Sequence, residues 1–130
     1  MSDAIADLYV TTVRVSNGAA GAPVLTLNLA VEAASGNIPN GKALIVQVTA
    51  PPFNEVVVQP VTGTIHHTGL GQDQQLVAVS GVYYDTLPPP AIGTITKTFT
   101  AALSVDKAWN GTGSFTFGGT TISNCTVTAL

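Results

Sequence analysis

Apolar and polar residues alternate strictly along two segments of this chain. In residues 24–33, every second position on one face is apolar, namely Leu25, Leu27, Leu29 and Val31. Successive side chains of a β-strand point to opposite faces, so this spacing predicts a strand with one face in the core. A shift of one residue would turn every leucine outward, and the register of this strand should therefore be firm.

The second alternating segment, residues 94–106, has one largely apolar face and one hydroxyl-bearing face. The apolar face contains a single lysine and consists of Ile95, Lys97, Phe99, Ala101, Leu103 and Val105. The opposite face consists of Thr94, Thr96, Thr98, Thr100 and Ser104. Threonine is favoured in strands, so the composition of the segment agrees with its spacing.

Further strands are predicted where β-branched residues lie between clusters of Gly, Pro and Asn. They are residues 7–15, 42–49, 55–68, 74–84, 113–117 and 120–129. In residues 42–49, Leu44, Val46 and Val48 share a face, and Pro60 should bend the long run 55–68. Loops are predicted at residues 36–41, 69–73 and 85–93, the last centred on three consecutive prolines.

About eight strands without a helix predict an all-β, antiparallel fold in one domain spanning residues 1–130. A β-sandwich is favoured because several strands are long, and a closed β-barrel is the alternative.

Charged residues make up 8% of the chain, against about 25% in an average soluble domain. The four scattered Lys and Arg residues and the net charge of -3 argue against nucleic-acid binding. Low charge also weakens the usual protection against self-association. No apolar run reaches the ~18 residues of a membrane-spanning helix. Residues 1–4 do not begin a signal peptide, so we expect a cytoplasmic protein, with export by a signal-less route left open.

Four segments resemble a known family in their order and spacing. They are residues 21–29, Asn40-Gly41 followed by residues 48–52, residues 88–93 and residues 109–113. The chain resembles the small bacterial family known as domain of unknown function 1842, and the resemblance covers nearly its whole length. It implies a bacterial, single-domain, non-enzymatic protein. The family carries no assigned activity, so the resemblance implies no site residues.

Catalytic and metal-binding patterns are weak. His66 and His67 are adjacent, so in a strand they point to opposite faces and cannot chelate one metal together. A hydrolase centred on this pair with Asp73 is a remote alternative, because no nucleophile motif accompanies it. Cys125 is the only cysteine and is expected to be a small buried residue. We therefore predict no catalytic residue, no metal and no cofactor.

Aromatic residues at predicted loops indicate a possible glycan site. Trp109 lies beside Asn110, and Tyr83 and Tyr84 directly precede Asp85. A ring for stacking and polar groups for hydroxyls are what a lectin-like module needs. This carbohydrate-binding alternative requires the aromatic rings to be exposed together at one end of the fold, whereas Trp109 packed into the core would count against it.

The threonine stripe Thr94, Thr96, Thr98 and Thr100 supports the leading hypothesis. It forms an uncharged, strand-prone surface, whereas natural sheet edges usually carry charges that prevent pairing with other chains. We therefore predict a non-enzymatic structural or protein-interaction domain. Its expected partner is a second copy of the chain or another protein, bound at this stripe.

Overall fold

The computed structural model describes residues 8–47, 54–68, 75–86, 90 and 92–130. Among them it contains nine β-strands and no helix, so no helix long and apolar enough to cross a membrane is found there. The strands are β1 (Leu8–Ser16), β2 (Val24–Glu32), β3 (Asn37–Gln47), β4 (Asn54–Val58), β5 (Val61–His67), β6 (Gln75–Thr86), β7 (Thr94–Val105), β8 (Gly111–Phe117) and β9 (Thr120–Ala129).

The strands form one antiparallel sheet that closes on itself. Its order is β2-β1-β9-β8-β7-β6-β5-β3-β4, and β3 also pairs with β2. The ring is thus complete, and the architecture is the closed β-barrel rather than the favoured β-sandwich. The predicted all-β, antiparallel class is confirmed. The sandwich would need two separate sheets, but the described strands all belong to one sheet, which the pairing of β2 with β3 closes.

β4 and β5 act as one bent strand. β4 pairs with β3 from Gln47↔Asn54 to Ala43↔Val58, and β5 continues in the same register at Ile38↔Gly63. The bend falls at Pro60, which lies between the two strands. The predicted long, bent run is therefore confirmed, and counting it once gives a barrel of eight strands.

One predicted loop is wrong. Residues 36–41 were expected to be irregular because they are rich in Gly, Pro and Asn, yet β3 begins at Asn37 and pairs with β2 from there onward. Pro39 is accommodated because it lies at a register irregularity and has no ladder partner among the described residues. Val48 and Thr49, predicted to end this strand, lie outside the described residues.

The barrel interior is a single apolar core. Its wall positions follow the predicted alternation in β2 and β7, where all four alternating residues 25–31 and the alternating residues 99–105 are buried. In β3 the inward face is formed by Ala43 and Ile45, while Leu44 and Val46 are half-buried on the outer face. The largest buried side chains are Phe99, Phe115, Leu25, Leu27, Leu29, Ile38 and Ile45.

Glycines on the inner face allow the sheet to curl. A Cβ at Gly63 would overlap the Ala78 carbonyl of β6, and a Cβ at Gly111 would overlap the Ser104 carbonyl of β7. Adjacent strands approach each other there more closely than a side chain permits. Glycine is the residue that sheets use at such tight bends, and these positions explain why long strands close into a barrel.

Candidate functional site

The two halves of β7 have different neighbours. Residues 99–105 pair with β6 on one side and β8 on the other. Residues 94–98 pair only with β6 among the described strands. In β6, residues 82–86 likewise pair only with β7. We call residues 82–86 and 94–98 the β6–β7 ribbon, a two-stranded extension beyond the fully paired barrel wall.

The predicted threonine stripe lies on the outer face of this ribbon and continues onto the barrel. Thr94, Thr96, Thr98 and Thr100 are all exposed. Thr96 lies opposite Tyr84, and Thr98 lies opposite Val82. Tyr84 is 73% exposed and Val82 is 45% exposed, so apolar and hydroxyl groups are interleaved on one open surface.

The surrounding barrel wall extends this uncharged surface across four strands. Its outward side chains are hydroxyl-bearing, apolar or imidazole groups, and none of those described is a carboxylate, a lysine or an arginine. They are Thr62, Thr64, His66, Leu76, Ala78, Ser80, Val82, Tyr84, Thr94, Thr96, Thr98, Thr100, Ala102, Ser104, Thr112, Ser114 and Thr116. We call this set the uncharged face. It contains a shallow groove of about 490 Å³ between β5, β6 and β7.

The charges of the ribbon lie on its inner side. Lys97 Nζ is 2.9 Å from Asp85 Oδ2, and both side chains are partly exposed. Tyr83 is opposite Lys97 in the ladder and is only 8% exposed. A Cβ at Gly118 would come within 2.7 Å of the Tyr83 hydroxyl, so the β8–β9 turn covers this side chain at one mouth of the barrel.

The pKa values of Tyr83 and Lys97 at this mouth of the barrel are both raised. Burial raises the pKa of Tyr83, while the positive charge of Lys97 partly opposes that effect. The hydrogen bond to Asp85 raises the pKa of Lys97. Both groups therefore stay protonated at neutral pH, and neither is prepared to act as a base there.

Sequence reasoning placed Tyr83 beside Tyr84 among the exposed aromatic candidates, but Tyr83 is buried, and the ion pair of Lys97 with Asp85 was not predicted. One signal was present, because Lys97 falls on the core face of the alternating segment 94–106. A lysine at the end of a core face requires a carboxylate or solvent nearby. Tyr83 also lies on the same face of β6 as the buried Val77 and Val79, so its ring points into the barrel.

The predicted glycan residues do not form one site. Tyr84 and Asp85 pair with Thr96 and Ile95 near the start of β7, whereas Trp109 and Asn110 follow the end of that strand. At a rise of about 3.4 Å per residue, the two groups are separated by roughly 30 Å along β7. The structure therefore places them at opposite ends of the barrel.

Trp109 is a packing residue of the β7–β8 turn. It is 4% exposed and belongs to the core, with a left-handed φ of 68°. The turn is held by Asp106 Oδ1, which accepts hydrogen bonds from the N–H groups of Ala108 at 2.9 Å and Asn110 at 3.0 Å. Asn110 Oδ1 in turn accepts from the Ala129 N–H. The polar groups of this turn are engaged in holding the backbone.

The remaining candidates are separate from one another. His66 and His67 are both exposed on β5, and Asp73 lies outside the described residues. No cluster of three metal-ligating side chains occurs in the described part of the chain. Cys125 is 1% exposed inside the barrel, and burial raises its pKa. A thiol of that kind is a poor nucleophile at neutral pH.

Comparison with known proteins identifies the family of the chain. A search of curated proteins finds no match. The sequence profile of the family described as Domain of unknown function (DUF1842) matches residues 6–121. The match spans the barrel from β1 into β9 and confirms the resemblance predicted from the sequence. The chain therefore belongs to the DUF1842 family.

Proposed function

We propose that this domain is a non-enzymatic interaction module that self-associates through the uncharged face around the threonine stripe. The observation that supports this proposal is the absence of charged side chains from the described outward positions of β5–β8, in a region that includes the exposed Val82 and Tyr84.

The composition of this face is that of a surface suited to protein contact. The centres of protein interfaces are depleted in charged residues and enriched in tyrosine. Two uncharged faces can approach without desolvating ions, whose burial is costly. Threonine and serine hydroxyls can act as both donor and acceptor, so two copies of the same face can satisfy each other.

Size-exclusion chromatography with light scattering tests this proposal over a wide range of protein concentrations. We expect a defined oligomer whose population rises with concentration. Thr98→Lys should lower association because it places a desolvated charge in the contact. Thr128→Lys is the matched control, since Thr128 is an exposed strand threonine at the opposite end of the barrel.

Two results would contradict the proposal. One is a monomer at every concentration. The other is equal association of the Thr98→Lys and Thr128→Lys variants, each verified as folded by its thermal unfolding transition.

The carbohydrate-binding alternative has less support. Trp109 is buried, and it lies far from Tyr84 along β7, so the stacking platform is reduced to a single exposed tyrosine. The hydrolase alternative rests on two exposed histidines that have no partner residue suggested by the described chain. Cytoplasmic localisation and bacterial origin stay predictions from the sequence.

A further inference from the structure

The free side of β7 in the ribbon presents backbone hydrogen-bonding groups. The Thr98 carbonyl accepts from the Gly118 N–H at 3.1 Å, so the backbone groups of Thr98 point to the side of β7 that faces away from β6. Backbone direction alternates along a strand, and the N–H and C=O of Thr96 and Thr94 therefore point to the same side. No described strand pairs with them there.

Such an edge is a template for another strand. Unpaired N–H and C=O groups in extended geometry recruit an added strand, and native proteins usually prevent this with charge, proline or a bulge. The outward side chains at this edge are the uncharged Thr94, Thr96 and Thr98. Lys97 is the one charge on this part of β7. An inward-pointing charge on an edge strand opposes pairing when it is left without a partner, but Lys97 Nζ lies 2.9 Å from Asp85 Oδ2 of the same ribbon.

We infer that two copies of the chain pair antiparallel through this free edge of β7, so that two ribbons form one four-stranded sheet. This inference rests on the proposed self-association and specifies its geometry. With Thr96 opposite the partner's Thr96, each Lys97 lies opposite the partner's Ile95, and the two lysines do not face each other. The edge is therefore complementary to itself in charge, and the N–H and C=O groups of Thr96 meet those of the partner's Thr96, as a two-fold interface requires. Thr98, whose carbonyl already accepts from the Gly118 N–H, marks the end of the paired segment.

The pairing should also stabilise the ribbon. A two-stranded ribbon is marginally stable in water, whereas sheets of three or more strands with an apolar face are stable. Adding the partner's ribbon doubles the strand number and continues the uncharged face across the two-fold axis. The paired segment is short, so the dimer is expected to be weak and to appear only as concentration rises.

Two substitutions at one position separate backbone pairing from side-chain packing. Thr96→Pro removes the N–H on the free edge but leaves the ladder to β6 intact, because the Thr96 N–H points away from β6. Thr96→Val keeps the N–H and removes only the hydroxyl. We expect Thr96→Pro to be monomeric at concentrations where the wild-type protein and Thr96→Val are dimeric.

Amide hydrogen exchange of the wild-type protein provides a readout that needs no variant. When about 90% of chains are dimeric, the Thr96 amide should exchange about tenfold more slowly than in dilute protein, because exchange proceeds through the monomer. The amide of Lys97, which points to β6, should change less. This measurement decides the question if Thr96→Pro fails to fold.

The outcomes distinguish this inference from the proposal on which it rests. Dimerisation of folded Thr96→Pro, or loss of dimerisation in Thr96→Val, would overturn edge pairing. Sensitivity to Thr98→Lys in the same experiments would then leave association through the uncharged face standing. A wild-type protein that is monomeric throughout, with a Thr96 amide insensitive to concentration, would overturn both.

Discussion

β7 has the same alternating pattern along its whole length but two different environments. In residues 99–105 the inward side chains are fully buried, with Phe99 at 0% exposure and a paired strand on each side. In residues 94–98 the inward positions hold Ile95, which is 40% exposed, and Lys97. The pattern is therefore a property of the segment, whereas burial is a property of the strands that surround it.

The barrel half of β7 stabilises the fold, whereas the ribbon half is accessible for binding. Apolar burial contributes roughly 25 cal/mol per Å² to folding, and nearly all of it in β7 comes from the barrel half. The ribbon half contributes little and keeps its outer face and one edge open. Local stability in proteins varies in this way, and binding segments are usually drawn from the less stable regions.

Truncation of one inward side chain in each half of β7 should give the largest difference in stability. Phe99→Ala should destabilise the protein by about 3–5 kcal/mol, because it leaves a cavity in the core. Ile95→Ala should cost less than about 1 kcal/mol, since its side chain is already partly solvated. Urea unfolding of both variants measures the contrast. Equal losses would mean that the ribbon is part of the core.

A second prediction concerns the curvature of the barrel half. Gly63→Ala should cost about 1–3 kcal/mol, because the added methyl group overlaps the Ala78 carbonyl and forces β5 away from β6. The outward Thr62→Ala is the control and should change stability by less than about 0.5 kcal/mol. Thermal unfolding compares the two. A neutral Gly63→Ala would show that the close approach of β5 and β6 is not needed for closure.

The ribbon half should contribute to the loss of stability of the protein in alkali. The pKa values of Tyr83 and Lys97 are raised above their ordinary values of 10.0 and 10.5. A raised folded-state pKa stabilises the fold fully below the ordinary value, and that contribution is lost as pH rises through the raised one. The buried Cys125 thiol, whose pKa is raised above 9.0, should begin a decline in the free energy of unfolding above pH 9, and the ribbon groups should steepen it above pH 10. Tyr83→Phe should weaken the decline, and an unchanged profile in urea unfolding would contradict the assignment.

The smallest expected effect is at the Trp109 end. Because Trp109 is buried in the β7–β8 turn, its fluorescence should not change when neutral oligosaccharides are titrated into the protein. The single tryptophan makes this measurement specific. Saturable quenching would restore the carbohydrate-binding alternative and would require the turn to open.

The strands were largely predictable, because a period of two is a local signal. The faces of β2 and β7 follow directly from the spacing of Leu25 to Val31 and of Phe99 to Val105. The closure was not predictable in the same way, since it depends on pairing between residues far apart in the sequence, such as Val13 with Ala129. The close approach of β5 and β6 at Gly63 depends on the Ala78 carbonyl of the neighbouring strand, which the residues around Gly63 do not indicate.

The candidate site was predictable only in part. The exposure of the threonine stripe was predictable, because these threonines lie on the opposite face of the strand from Phe99. β8 ends at Phe117 and is shorter than β7. Its length therefore predicts that one end of β7, residues 94–98, has no second neighbouring strand. Trp109 was selected because loop aromatics can bind ligands, but a left-handed turn folds its ring into the core, and nothing in the adjacent residues indicates that direction.

The pairing of β1 with β9 has a consequence for the protein during its synthesis. Val15 meets Val127 in this pairing, and the Leu130 N–H donates to the Thr12 carbonyl at 2.9 Å. One edge of β1 therefore stays unpaired until β9 has been synthesised, and so does one edge of β8, which also pairs with β9. Polysomes hold many such chains close together, and unpaired edges on incomplete sheets are where they would join one another. Because β9 pairs with both β1 and β8, its addition to the sheet covers both edges in one step.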